Sequence, residues 1–389
     1  MWHSLLAAAA LAALGIWLGL IAARGRFWRA RIDEHLAPPD EATCAEIRVE
    51  ALIPARNEAA TIAAAMRSLV AQRFAGTLHL TVIDDHSEDG TAEAARGERV
   101  NVVAARELAP GWTGKLNALE SGIAAVRAAR GAPDYWLLTD ADIVHDGSNV
   151  AALVSTAERD RLEIVSSMVH LNCESPWERL LIPAFVFFFQ KLYPFAWVND
   201  PKRRTAAAAG GCILLANAAL ECIGGFSTIA GRLIDDCALA AAVKRSGGGI
   251  RLGLTDRARS IRVYSQLADV WAMVKRSAFE QLGHSYPKLV LTVVGMLVLY
   301  ALGPLAALAG AVTRDPWLGL AGASAWLAAA CAYVPTLRAY RQRLDRALGL
   351  PFAATLYTAM TIDSALAHAR RRGGGWKGRV QALSATPSR

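Results

Sequence analysis

The chain has 389 residues, 54% of them hydrophobic and 20% charged, and its mean hydropathy of +0.26 is high for a soluble enzyme. This excludes a disordered chain, and the length allows a sizeable core in more than one domain. The net charge of +8 gathers in clusters beside apolar runs: Arg24, Arg26, Arg29 and Arg31; Arg338, Arg341, Arg343 and Arg346; and Arg370, Arg371 and Arg372. That placement points to anionic lipid and away from nucleic acid.

Residues 4–23 carry no charge and are long enough as a helix to cross about 30 Å of hydrocarbon. The arginines come after this run instead of preceding it, so we read an uncleaved anchor over residues 1–24 and not a signal peptide. The positive-inside rule then puts the basic linker 25–47, and the chain as far as residue 288, in the cytoplasm. Six cysteines show no CxxC or CxxH spacing, which suggests reduced thiols and neither a zinc site nor a disulfide framework.

Residues 48–265 change character to short β-rich apolar runs alternating with helical periodicity, the pattern of a parallel sheet with crossover helices. Strands are predicted over 49–54, 78–83, 100–104, 135–138 and 164–168. Ile62, Met66, Leu69 and Val70 mark the apolar face of one connecting helix, and Leu116, Leu119, Ile123 and Val126 mark another. Residues 180–198 contain four phenylalanines interrupted by Pro183, Gln190, Lys191 and Pro194. We read them as an aromatic helix resting on the membrane interface, with an ordinary core helix as the alternative.

A further interfacial helix is expected over 266–288. The uncharged runs 289–312 and 317–334, separated by Thr313-Arg314-Asp315-Pro316, read as a transmembrane hairpin. Residues 335–389 then supply a basic loop, an apolar stretch at 347–369 holding Pro351, Asp363 and His368, and a basic tail. We expect that stretch to lie in the cytoplasmic interface, because crossing would export the tail's cations.

In open α/β sheets ligands sit beyond the C-terminal ends of the strands, and the unusual polar residues cluster there. Pro54-Ala55-Arg56-Asn57-Glu58 comes after the first strand and Asp84-Asp85-His86-Ser87-Glu88-Asp89-Gly90-Thr91 after the second. Helix capping by Ser87 or Asp89 is one reading and ligand binding another. Thr139-Asp140-Ala141-Asp142 ends a third strand, and a turn there can converge two carboxylates on a hard divalent cation shared with phosphate oxygens. Gly111-Trp112-Thr113-Gly114-Lys115 opens a helix with backbone N–H groups and a lysine suited to an anion. It is neither a Walker A loop nor a dinucleotide fingerprint, and Gly247-Gly248-Gly249 follows a helix as a C-terminal turn. Later come Gly210-Gly211-Cys212, Gly224-Gly225-Phe226 and Leu233-Ile234-Asp235-Asp236. The last pair has two readings, as macrodipole partners of a helix start or as a general base near a bound phosphate.

A strand ending in P-x-R-N-E, then D-D-x-S-x-D-x-T, G-W-x-G-K, T-D-A-D, G-G-F and a D-D-x-x-L-A helix start, in this order, resemble family 2 glycosyltransferases. With the N-terminal anchor, the C-terminal hairpin and the ending Gly375-Trp376-Lys377-Gly378-Arg379, the chain looks most like the hopene-associated glycosyltransferases of hopanoid biosynthesis clusters. The resemblance implies an α/β GT-A fold, Rossmann-like with a mostly parallel sheet, flanked by N- and C-terminal transmembrane helices. It implies that Asp85 binds the base of a UDP-sugar, that Pro54, Arg56 and Glu58 line the uridine pocket, and that Lys115 lies near the donor phosphates. Asp140 and Asp142 match the DxD that holds Mn2+ or Mg2+, with Asp142 the more direct ligand. Asp236 matches the catalytic base, and Asp235 stands where glutamate is usual. Gly211, Gly225 and Phe226 fall in the acceptor region. Gln281 and His284 stand where processive members carry Q-x-x-R-W, which is incomplete here, so polymer synthesis is not expected.

The implied reading is a membrane-bound, inverting, metal-dependent transferase of the bacterial inner membrane, its catalytic domain cytoplasmic and its acceptor a lipid of hopanoid type. The competing readings are a polyprenyl-phosphate acceptor, a non-catalytic scaffold of a lipid-synthesis complex, and a nucleotide-sugar pyrophosphorylase. Intact acidic residues at all three positions argue against the scaffold, and the membrane elements argue against the pyrophosphorylase.

Overall fold

A computed structural model describes residues 2–97, 99–370, 375–376 and 379–380. The basic residues Arg371, Arg372 and Lys377 of the tail, and Gly378, lie outside the described residues. The chain divides into two compact units: Ile32–Asn172, Trp197–Val263 and Gly375–Arg389 form one, and Met1–Arg31, Cys173–Ala196 and Tyr264–Gly374 the other.

The first unit is built on an eight-stranded sheet. In chain order its strands are β1 (Arg48–Ala55), β2 (Thr77–Asp84), β3 (Val100–Ala104), β4 (Tyr135–Thr139), β5 (Ile143–His145), β6 (Ile164–His170), β7 (Cys212–Ala216) and β8 (Ile250–Ser260). The spatial order is β3-β2-β1-β4-β7-β6-β8-β5. β1, β2, β3 and β4 pair in parallel, and β6 pairs in parallel with β8. β7 runs antiparallel to both its neighbours, and β5 runs antiparallel to β8. Six of the eight strands therefore point the same way, the mostly parallel sheet expected from the alternation of apolar runs and helices.

The predicted helix faces are where the sequence puts them. Ile62, Met66 and Leu69 of the helix Ile62–Val70 are buried, as are Leu116, Leu119, Ile123 and Val126 of Gly114–Arg130. On the central strand Leu52 and Ile53 are fully buried, each worth roughly 1.5–3 kcal/mol of apolar burial. The linker is more structured than a basic connector: Ile32 bridges to Leu254, and the ring of His35 bonds Ser167 at 2.8 Å. A Cβ on Gly253 would come within 2.3 Å of that ring, so the strand tolerates only glycine there.

The second unit is helical. Trp2–Ala23, Pro176–Val198, Tyr286–Thr313 and Pro316–Ala339 are each long and apolar enough to cross a membrane. The predicted hairpin corresponds to the last two, with Asp315 capping the second helix through Trp317 and Leu318 N–H groups. Their backbones approach closely, because a Cβ on Gly310 or Gly322 would lie 2.2 Å from a main-chain nitrogen of the facing helix. Among the described residues Leu350–Ala369 is a helix but is not one of those four. Its Asp363 accepts from Trp271 and pairs with Lys275 at 2.9 Å, tying it to the helix Leu267–Gln281. The aromatic segment groups with these helices and not with the sheet. Phe187 and Phe188 pack on the rings of Trp17, Phe27, Tyr300, Tyr333 and Tyr357, all of the same unit. All six cysteines are free thiols.

Candidate active site

Every polar strand end singled out in the sequence lies at one edge of the sheet. β1, β2 and β4 end there, and the antiparallel β7 begins there, with Thr139 opposite Cys212. A buried relay fixes this corner. Asn149 donates to His145 Nδ1 at 2.9 Å, His145 Nε2 bonds the Thr139 hydroxyl at 3.0 Å, and that hydroxyl donates to the Gly211 carbonyl at 2.8 Å. Burial lowers the His145 pKa to about 4, so the ring stays neutral, as this chain of donors and acceptors requires. Gly211 is itself crowded by Val169, 3.1 Å from where a Cβ would stand.

The loops after β1 and β2 are stitched together by the motif residues. Ser87 accepts from Asn57 N–H, Thr91 from Glu58 N–H and Asp89 from Ala59 N–H, while Asn57 accepts from Glu88 N–H. Asp89 also accepts from the Thr91 N–H, but the N-cap of the helix Thr91–Ala95 is Gly90, without a side-chain cap, so neither Ser87 nor Asp89 is the N-cap residue. Asp85 is fully buried, its carboxylate 3.9 Å from Arg56, whose guanidinium also donates to the Asp85 and His86 carbonyls. Pro54 lies in β1 opposite Ile83.

Lys115, in the first turn of Gly114–Arg130, meets three carboxylates. Its Nζ is 2.8 Å from Asp140 and 3.7 Å from Asp235, with Asp236 also near enough to act on its charge. Burial opposes the ammonium, but the carboxylates outweigh it and push its pKa well above the ordinary lysine value. Asp236 accepts from the Gly210 N–H at 2.8 Å and from the Cys237 N–H at 2.7 Å. Burial first, and the charge of Asp235 second, raise its pKa to about 6 against the lowering effect of Lys115. The contact is close: a Cβ on Gly210 would sit 3.2 Å from Asp236 Oδ2 and 3.3 Å from Lys115 Nζ, so a larger residue would press on both charged groups.

Arg262, just past β8, is the site residue that sequence reading misses. Its Nε donates to Asp142 at 2.7 Å, and its Nη2 donates to both oxygens of Glu58 at 2.6 and 2.7 Å. Those carboxylates push its pKa far above the usual range despite burial. Burial and the neighbouring Asp140 raise the Asp142 pKa, with Arg262 working the other way. A lone arginine after a strand carries no motif, so no local signal marks it.

The remaining sequence candidates are differently placed. Phe226 is a core residue, 1% exposed, behind the turn made by Gly224 and Gly225, both of positive φ. Gln281 and His284 belong to the helical unit. Gln281 donates to the Tyr193 hydroxyl at 2.6 Å, and the His284 ring stacks on His368 at 4.1 Å beside Glu280.

Residues 50–224 match the family described as glycosyl transferase family 2. The match ends before Asp235 and Asp236. No curated protein matches the chain. Among solved structures, a mannosyltransferase from Pyrobaculum calidifontis in complex with GDP-Man and Mn2+ is similar at 20% identity and a TM-score of 0.53, over 94% of this chain and 99% of that one. A mannosyl-3-phosphoglycerate synthase from Rubrobacter xylanophilus is 20% identical, with a TM-score of 0.41 over 66% of this chain and 84% of its own. Glucosyl-3-phosphoglycerate synthase from Mycobacterium tuberculosis, in complex with Mg2+ and UDP, is 20% identical with a TM-score of 0.42, over 62% and 82%. At such identity the first likeness is one of fold.

Proposed function

We propose that the protein is a membrane-bound, inverting glycosyltransferase that moves one sugar from a UDP-sugar to a lipid hydroxyl. The observation that carries this reading is the single cluster formed by Lys115, Asp140, Asp235 and Asp236 at the ligand-binding edge of a family 2 domain. Four helices long and apolar enough to span a membrane support a lipid acceptor. A hopanoid-type acceptor rests on the sequence resemblance alone.

The residues fit a divalent cation. Around Asp140 and Asp142, two cations, Lys115 and Arg262, face five carboxylates, those of Glu58, Asp140, Asp142, Asp235 and Asp236. The excess of hard anionic oxygen suits Mg2+ or Mn2+. Among the described residues no three His, Cys, Asp or Glu side chains converge on one point, so Asp140 and Asp142 would hold the ion together with diphosphate oxygens and water. When bound, it would neutralise charge on the departing diphosphate.

The chain's own groups account for the rest. Lys115 supplies a fixed positive charge beside the leaving group. Arg56 and Asp85 form the wall against which the uracil would bind. In the displacement the acceptor oxygen bonds to the anomeric carbon as the bond to the diphosphate oxygen breaks. The electron pair leaves with UDP, and the acceptor proton passes to the Asp236 carboxylate. A base with pKa about 6 is stronger than an ordinary aspartate and still about nine-tenths ionised at pH 7.

Two measurements test this. Calorimetry of UDP binding should show strong dependence on Mn2+ and loss of that dependence in Asp142→Ala. Equal affinity in every case, or tighter binding of GDP than UDP, removes the metal role or the donor assignment respectively. Lipid extracts of strains with and without the protein should differ by one glycolipid; identical extracts would favour the scaffold reading.

A further inference from the structure

The helical unit holds a cavity of about 170 Å³ lined by Pro176, Arg179, Leu180, Tyr333, Arg346 and Leu350, with Gly349 at its edge. Two arginines converge on it, and no acidic side chain lines it. The Glu178 carboxylate, one residue before Arg179, is committed elsewhere, accepting from the Glu174, Ser175 and Tyr264 N–H groups. Asp345 is paired with Arg343 at 2.7 Å. The Arg346 guanidinium donates from Nη1 to the uncharged Gln342, and its charge also reaches Asp345. Among the described residues the Arg179 guanidinium has no hydrogen-bonding partner, and neither has the hydroxyl of Tyr333, a residue only 2% exposed. The Tyr333 hydroxyl opens onto the cavity instead of being sealed in the core, where it is available to a polar group beside the two guanidinium groups.

The surroundings favour an anion. Leu350 opens Leu350–Ala369, whose first turn has no side-chain cap, so this helix N-terminus adds positive potential; the start of Pro176–Leu192, which carries Arg179, is already capped by Ser175 and Glu178. The volume is too small for a sugar nucleotide, but it suits a phosphate group with a few waters at about 30 Å³ each. The cavity lies where two apolar helices end, at the N-terminus of Pro176–Val198 and near the C-terminus of Pro316–Ala339, the level at which lipid headgroups sit.

We propose that Arg179, Arg346 and Tyr333 form a binding site for the phosphate headgroup of an anionic membrane lipid. The two guanidinium forks bind phosphate oxygens, and the Tyr333 hydroxyl donates a third hydrogen bond. The site goes beyond the transferase reading, and its residues take no part in the catalytic cluster.

The full-length protein in a non-ionic detergent is titrated with short-chain phosphatidic acid, with phosphatidylcholine of the same chain length, and with inorganic phosphate, reading the thermal unfolding midpoint and calorimetric affinity. Phosphatidic acid should raise the midpoint and bind tightest of the three. Arg179→Gln and Arg346→Gln should each weaken it about tenfold, the effect of losing one charge-assisted hydrogen bond, and Tyr333→Phe should weaken it less. Equal binding of phosphatidylcholine would show that only the acyl chains are held, and equal binding of inorganic phosphate would show a site for the free ion. Either result overturns the proposal, as does unchanged phosphatidic acid affinity in Arg179→Gln. Arg179 is exposed, so that variant should fold, with retained UDP binding as the control.

Discussion

Replacing Asp236 with asparagine is expected to lower the rate of sugar transfer by about 10³-fold, the scale of a lost general base, while UDP affinity stays nearly unchanged. Asparagine keeps the shape, but its single oxygen can accept from only one of the Gly210 and Cys237 N–H groups, which bond different oxygens of Asp236, so one local hydrogen bond is lost with the proton acceptor. In the unsubstituted protein kcat/KM should fall as pH drops through about 6, where Asp236 takes up its proton, and this limb should be missing from the residual activity of the variant. Stability should move the other way. The folded-state pKa lies above the unfolded one, so the native state binds the proton more tightly. This contribution is present in full at low pH and is lost as pH rises through about 6. The asparagine variant has no carboxyl to titrate there, so its stability should change less with pH across this range than that of the native protein. Asp235→Asn should reduce the rate less, because Asp235 chiefly balances Lys115 from 3.7 Å. If Asp235→Asn proved the more damaging, the base would be Asp235.

Arg262→Gln is expected to destabilise the fold by on the order of 2 kcal/mol at pH 7, below the 3–5 kcal/mol of a fully buried pair because the guanidinium is about a third exposed. The loss would leave Glu58 and Asp142, both largely buried, facing Asp140 without their cation. The Asp142 pKa, already raised by burial and Asp140, should then rise further, so the penalty should be full at pH 7 and smaller at pH 5, where more of that carboxylate is protonated. Denaturant unfolding at the two pH values measures this. Arg262→Lys should fall between, since an ammonium keeps the charge but not the fork that spans two carboxylates. Mn2+ should recover part of the loss if Asp140 and Asp142 hold a divalent ion. Equal stability of Arg262→Gln and the native protein at pH 7 would show that the ion pairs contribute nothing net.

Local sequence determined the strands and the polar residues that end them. An apolar run that stops at Asp84, Asp140 or Arg56 is visible without tertiary contacts, because burial demands apolar residues and ligand edges demand polar ones. The helix stripes at Ile62, Met66 and Leu69 and at Leu116, Leu119, Ile123 and Val126 were legible for the same reason. Only the tertiary structure decided which charges neutralise one another. Arg262 and Glu58 are 204 residues apart in sequence, and they meet because the reversed strand β5 lies against β8 at the sheet edge, bringing Asp142 beside the end of β8. Gly210 reads only as the lead-in to an apolar strand until the fold puts Asp236 against its N–H. The aromatic segment's place was likewise undetermined locally, since Phe187 and Phe188 suit any large apolar surface, and the packing of Trp17, Tyr300, Tyr333 and Tyr357 around them was settled by helices distant in the chain.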